Sequence, residues 1–286
     1  MKTENKTITI DGVEIFYREA GNPTSPTILL LHGFPSSSHM YRKVLEDLSN
    51  EYHLIAPDYP GFGFSAVPSP SDYDYTFDNF AKTITAFTTA LQLPSYYLMM
   101  QDYGGPVGLR IATAHPEKIK GLLIQNANTY LEGLGEYPQK MGQLVAAQDF
   151  QELSNFKDYL LSPEGIKDLY LDGAEDPSKI DPISYQLDTE ILENSLVKEV
   201  QTLLFNDYGN NFPKYPEWQK YLRLNQPPTL VIWGENDKFF SKTGGLAYSN
   251  DLKNPETHFF NGGHFVLEEY ADEAIILIRD FIKRNK

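Results

Sequence analysis

Alternating apolar and polar residues open the chain. Thr7-Ile8-Thr9-Ile10 and Val13-Glu14-Ile15-Phe16-Tyr17 flank Asp11-Gly12. An Asp-Gly pair between two such runs predicts a β-hairpin, because both residues tolerate the positive φ of a tight turn. The pattern then changes. Thr27-Ile28-Leu29-Leu30-Leu31 is apolar nearly throughout, as expected of a strand covered on both faces. Met40 to Leu48 reads as a helix and His53-Leu54-Ile55-Ala56 as the next strand. Phe77, Phe80, Ile84, Phe87 and Leu91 fall three or four apart and line one face of a helix. Tyr96-Tyr97-Leu98-Met99-Met100 is a further apolar run, followed by a helix-like stretch from Pro106 to Ala112 and a buried strand at Leu122-Leu123-Ile124.

After Asn128 this rhythm stops. From about Tyr130 to Tyr221 no buried strand is evident, acids outnumber bases, and Leu144, Phe150, Leu153, Phe156 and Leu160 take helical spacings. Strand–helix order returns at Thr229-Leu230-Val231-Ile232-Trp233, after Pro227-Pro228. Glu256 to Phe260 is a last strand and Ala271 to Ile282 a last helix. The pattern predicts an α/β fold with a mostly parallel twisted sheet flanked by helices. Residues 1–128 and 222–286 would form the core, and 129–221 an inserted helical cap.

Composition narrows the functional classes. The 286 residues carry a formal net charge of −15. Such a surface disfavours nucleic acid and anionic membranes as partners, and its simplest reading is solubility. There is no cysteine, which excludes disulfides, thiol catalysis and thiolate zinc sites. Neither a signal peptide nor a membrane-spanning run is expected. The sequence therefore predicts a cytoplasmic monomer or homodimer that acts on a small molecule without cofactor or metal. Gly61-Phe62-Gly63 lacks the context of a phosphate loop, so nucleotide binding is rejected.

The chemistry concentrates at Met100-Gln101-Asp102-Tyr103-Gly104-Gly105. A strand, a sharp turn and a helix lift one side chain above a sheet, as in a nucleophile elbow. Here the apex is Asp102, where Ser is usual. An ionised carboxylate displaces leaving groups from sp3 carbon and leaves an ester on the enzyme. The plainer alternative is that Asp102 caps the following helix. His264, in Gly262-Gly263-His264-Phe265, is the candidate general base for the water that cleaves such an ester; its alternative is a loop histidine with a structural role. Asp237 would orient His264, with Glu235 as competitor. His32 is expected to shape its loop, and His39, His53, His115 and His258 have no evident catalytic partner.

Four landmarks stand in a telling order. They are His32-Gly33-Phe34-Pro35 after a strand, the elbow at Asp102, Trp233-Gly234-Glu235-Asn236-Asp237, and the segment around His264. Together they resemble the α/β-hydrolase superfamily, and within it the Asp-nucleophile branch of haloalkane dehalogenases and epoxide hydrolases. The resemblance implies Asp102 as nucleophile, His264 as base and Asp237 as the acid, with the backbone N–H groups of Phe34 and Tyr103 as oxyanion hole. Some relatives place the acid before the cap, but Gln125-Asn126-Ala127-Asn128 offers no carboxylate. Asp58 to Ser65 resembles the loop after the fourth strand.

The two families differ in how the leaving group is held. Haloalkane dehalogenases use two N–H donors, one from a Trp directly after the nucleophile; that position is Tyr103, and the cap holds only Trp218. Epoxide hydrolases use cap tyrosines, for which Tyr208 and Tyr159 are the candidates. Epoxide hydrolysis therefore leads, with haloalkane dehalogenation as the alternative. Fluoroacetate dehalogenases carry an Arg where Tyr103 stands, which disfavours anionic substrates. An ester or lactone hydrolase, or a receptor of the same fold, remains a further alternative; the intact Asp102, His264 and Asp237 set argues against the receptor.

Overall fold

A computed structural model describes residues 2–285. It begins with the expected hairpin, β1 (Glu4–Ile10) against β2 (Val13–Ala20). Asp11 and Gly12 take φ values of 49° and 83°, the left-handed conformation that joins twisted strands through two residues. The buried strands follow: β3 (Thr27–Leu31), β4 (His53–Pro57), β5 (Tyr96–Gln101), β6 (Ile119–Gln125), β7 (Thr229–Gly234) and β8 (Glu256–Phe260). Every residue of β3, β4, β5 and β7 is buried. Their unbroken apolar runs reflect cover on both faces of the sheet.

The eight strands lie in the order β1-β2-β4-β3-β5-β6-β7-β8, parallel from β4 onward. From β3 the chain steps to β4 on one side and to β5 on the other. Open α/β sheets bind ligands where strand order reverses in this way, beyond the carboxyl ends of the strands. The loops after β3 and β5 flank that point, and they carry Phe34 and Asp102.

Amphipathic helices supply the cover. Helix α1 (Arg42–Leu48) is entered through a short 3-10 turn, Ser38–Tyr41, where a helix from Met40 was expected. Helix α2 (Phe77–Ala90) buries Phe77, Phe80, Ile84 and Phe87, and Thr76 caps it by accepting from the Asn79 N–H at 3.2 Å. Helix α3 (Gly104–Ala114) starts directly behind the elbow. A Cβ at Gly104 would lie 2.2 Å from the Leu31 carbonyl oxygen, so only glycine lets α3 begin so close to β3.

Between β6 and β7 the described chain is helical: α4 (Glu136–Ala146), α5 (Phe150–Leu160), α6 (Pro163–Leu171), α7 (Pro182–Leu192), α8 (Ser195–Asp207) and α9 (Tyr215–Asn225), with short 3-10 turns. The limit expected at residue 221 falls inside α9. That helix packs on α3 and buries Trp218, Tyr221 and Leu222. Its spacing resembles the other insertion helices, so sequence alone does not separate it from them. The chain closes with α10 (Lys242–Ala247), α11 (Val266–Glu269) and α12 (Ala271–Arg284), which rests on α1. No helix among the described residues is long and apolar enough to cross a membrane.

Candidate active site

Asp102 follows β5 directly and takes a φ of 48°. Asp and Asn are the side chains other than glycine that best tolerate this region. The turn raises the carboxylate beyond the carboxyl edge of the sheet, where it is 3% exposed. The Phe34 N–H donates to Asp102 Oδ1 at 2.7 Å. Burial pushes the carboxyl up to about 6, while His264 and the N–H groups of Phe34 and Tyr103 favour the charged form. Both N–H groups expected for an oxyanion hole thus act on this carboxylate.

Gly33 explains why the loop approaches so closely. A Cβ there would sit 2.3 Å from Asp102 Cβ and 2.5 Å from its Oδ1. We expect Gly33→Ala to lose about 1–3 kcal/mol of stability through overpacking and most of its turnover. Thermal unfolding with a rate assay checks both; wild-type values for the two would show that the loop has slack.

His264 follows β8 and is 2% exposed. Its Nδ1 donates to Asp237 Oδ2 at 2.9 Å, and its Nε2 lies 3.8 Å from Asp102 Oδ2. Burial is the largest influence on the ring and pushes its pKa down, but Asp237 and then Asp102 outweigh it and the net direction is up. Asp237 is fixed in turn. Its Oδ1 accepts the Phe239 N–H at 2.7 Å and its Oδ2 accepts the Asn126 amide at 2.7 Å. Glu235 instead pairs with Lys242, away from the histidine.

Two participants escaped the sequence reading. In the sequence Asn126 stands out only as an amide where some relatives carry a carboxylate. With a φ of 41° its amide accepts from the Gly234 N–H at 2.9 Å while donating to Asp237, so it ties β6 to the loop after β7. Gln101 is fully buried and places its Nε2 2.8 Å from His264 Nε2. Its position just before Asp102 was the available signal.

Asp102 opens onto a cavity of about 30 Å3 walled by Phe34, Tyr103, Met141, Phe205, Tyr208 and Phe240, among others. Pro138, Met141, Phe205 and Tyr208 also wall an adjoining outer chamber of about 580 Å3 between α4, α5 and the end of α8. Tyr208 is therefore at the site. Burial, then Tyr215 and Asp102, push its phenol well above the usual range, which keeps it protonated. The Tyr103 hydroxyl is buried without a hydrogen-bond partner among the described residues.

Two other candidates lie elsewhere. Trp218 packs its ring 5.2 Å from the Arg110 guanidinium and 5.6 Å from Tyr215. It fills the seam between α9 and α3 and does not wall the cavity. Tyr159 donates to Asp168 at 2.6 Å, which occupies its hydroxyl within the insertion. His32 accepts from the Tyr59 N–H at 3.3 Å, and burial lowers its pKa to about 4, consistent with a loop-shaping role. Among the described residues no three His, Asp or Glu side chains are grouped to hold a metal ion.

One cavity thus gathers a carboxylate oxygen, two N–H donors and two phenols, and an imidazole backed by a second carboxylate faces that carboxylate. The fold that holds these groups is shared with known proteins. A family model described as alpha/beta hydrolase fold matches residues 26–271. An uncharacterised hydrolase of Saccharomyces cerevisiae is 39% identical over 277 residues, covering 94% of this chain and 95% of the relative. Epoxide hydrolase 3 of Xenopus tropicalis is 25% identical, covering 96% of this chain and 76% of that protein. The structure of haloalkane dehalogenase DbeA from Bradyrhizobium elkani superposes with a TM-score of 0.77 at 19% identity, over 99% of each chain; at that identity it speaks for the fold alone. With the model spanning nearly the whole chain and a full-length relative well above 30% identity, this protein belongs to the alpha/beta hydrolase fold family and is a hydrolase of that fold.

Proposed function

We propose that the protein hydrolyses a neutral apolar substrate through an alkyl ester on Asp102, with epoxides as the leading class. The observation that carries this reading is the elbow itself: a carboxylate at the apex, its Oδ1 held by the Phe34 N–H and its Oδ2 facing His264. In the first step Oδ2 attacks a ring carbon of the epoxide. The carbon–oxygen bond breaks, and the leaving oxygen takes a proton from Tyr208. In the second step water attacks the ester carbonyl carbon and His264 Nε2 accepts its proton. The charge gathers on Oδ1 against the Phe34 and Tyr103 N–H groups. Collapse releases a diol and restores the carboxylate, and the proton on His264 returns through solvent to Tyr208.

The cavity supports the substrate's character. Its walls beyond Asp102 are almost wholly apolar or aromatic. At about 30 Å3 it holds little more than a water or two. A substrate of several carbons needs more room, which lies in the outer chamber across Pro138, Met141, Phe205 and Tyr208.

Haloalkanes are the second reading, favoured by the partnerless Tyr103 hydroxyl, which can donate to a halide as readily as to an alkoxide. The two readings part on the acid. Epoxide opening needs a proton at the leaving oxygen, whereas halide departure needs only donors. Tyr208→Phe should lower styrene oxide turnover about tenfold or more and leave any bromoalkane turnover nearly unchanged. Unchanged epoxide turnover, with wild type releasing bromide faster than it forms diol, reverses the ranking.

A further inference from the structure

His264 Nε2 has one lone pair, and Gln101 occupies it. In the neutral ring, the Nδ1–H bond to Asp237 selects the Nδ1–H tautomer. Nε2 is then an acceptor, so the Gln101 atom 2.8 Å away is its NH2 group. The amide is fully buried, and its Oε1 has no partner among the described residues. It lies close against the backbone of Gly33, where a Cβ would come within 2.7 Å of that oxygen.

The surroundings make this contact consequential. Asp237, from the loop after β7, and Asp102, from the elbow, both pull His264 toward its cation. The other side chains packed on the ring are Phe239, Phe240 and Phe265, at centroid distances of 5.5, 6.0 and 5.1 Å; none carries charge. Gln101 is the group that donates to the neutral form. A cationic ring would turn Nε2–H against the Gln101 NH2 group.

We propose that Gln101 is a positioning residue that latches His264 as the neutral Nδ1–H tautomer in the resting enzyme. The inference rests on His264 acting as the base. While Asp102 is ionised, the latch keeps His264 from taking up the proton that would disable it as the base of the second step. Ester formation removes the Asp102 charge and with it one of the two pulls on the ring. The Gln101 amide then turns away and frees Nε2 for the attacking water. The turn breaks no bond at Oε1, because that oxygen has none.

The test is an imidazole 15N NMR titration of ligand-free wild type, Gln101→Leu and Gln101→Glu. The wild-type ring should carry its proton on Nδ1 at neutral pH, a result that needs no variant to fold. Gln101→Leu should raise the His264 midpoint by about one pH unit, and Gln101→Glu by more. With styrene oxide, ester formation in Gln101→Leu should stay within about twofold, while ester hydrolysis falls about tenfold at pH 7 and recovers at higher pH. A wild-type ring protonated on Nε2, or unchanged midpoints in both variants, overturns the proposal. So does an equal loss of both steps at every pH, which is what a purely structural role gives. Shifted midpoints without ester from styrene oxide or a bromoalkane uphold the latch and reject the alkyl-ester reading.

Discussion

His264→Gln protein incubated with styrene oxide should gain the mass of one substrate, confined to the peptide that contains Asp102. Turnover should fall by about three orders of magnitude. The asymmetry between the two half-reactions follows from the geometry. Attack on the epoxide uses Asp102 Oδ2, which His264 faces at 3.8 Å without a hydrogen bond, so the nucleophile survives loss of the ring. Cleavage of the ester needs a base on the water, and among the described residues that wall the cavity none besides Asp102 is a carboxylate, histidine or lysine. Glutamine keeps polarity near Asp237 but cannot accept a proton at neutral pH. Peptide mapping of the trapped species decides the matter. Mass on any residue other than Asp102, or no trapped mass with either an epoxide or a bromoalkane while wild type turns one over, would reject the carboxylate as nucleophile.

The parts legible in the sequence are those written locally. The hairpin at Asp11-Gly12, the apolar strands and the helix on Phe77, Phe80, Ile84 and Phe87 each follow from a few neighbouring residues. The elbow is local too, since strand, apex and helix occupy one short stretch. Asp102, His264, Asp237, Phe34 and Tyr103 could be ordered along the chain because each sits just beyond a strand end, and the sheet brings them to one edge. The cap side chains had no such frame. Tyr208, Tyr159 and Trp218 all lie on helices, where periodicity separates buried from exposed positions but does not say what covers the buried face. Trp218 turned to Arg110 and Tyr159 to Asp168, contacts that depend on how separate helices dock. Gln101 and Asn126 were hidden for a related reason. Their roles are hydrogen bonds to residues more than a hundred positions away, and an amide in a strand end carries no chemical signature of its own.

Asp102→Asn should abolish turnover, by about four orders of magnitude or more, and yet yield a more stable protein at neutral pH. The two effects share one cause. The folded carboxyl titrates near 6 against an ordinary value of 3.8, chiefly because it is buried. The folded state therefore binds the proton more tightly than the unfolded chain. Stability is fully present below about pH 4 and is lost as pH rises through 6, so above that the charge costs about 3 kcal/mol. Asparagine removes the charge at all pH values. It tolerates the left-handed φ of the apex and still offers an oxygen to the Phe34 N–H, although the second N–H is served less well. We expect a net gain of about 1–3 kcal/mol at pH 7.5 that shrinks toward nothing near pH 4. Asp102→Ala should gain less, because alanine is strained at this φ by about 1 kcal/mol. Urea unfolding of the three proteins at the two pH values checks the sign. A variant less stable than wild type at pH 7.5 would mean that the N–H donors and His264 more than offset the burial of the charge. The ionised nucleophile would then be a stabilising element of the fold, and burial would not be the dominant influence on its carboxyl.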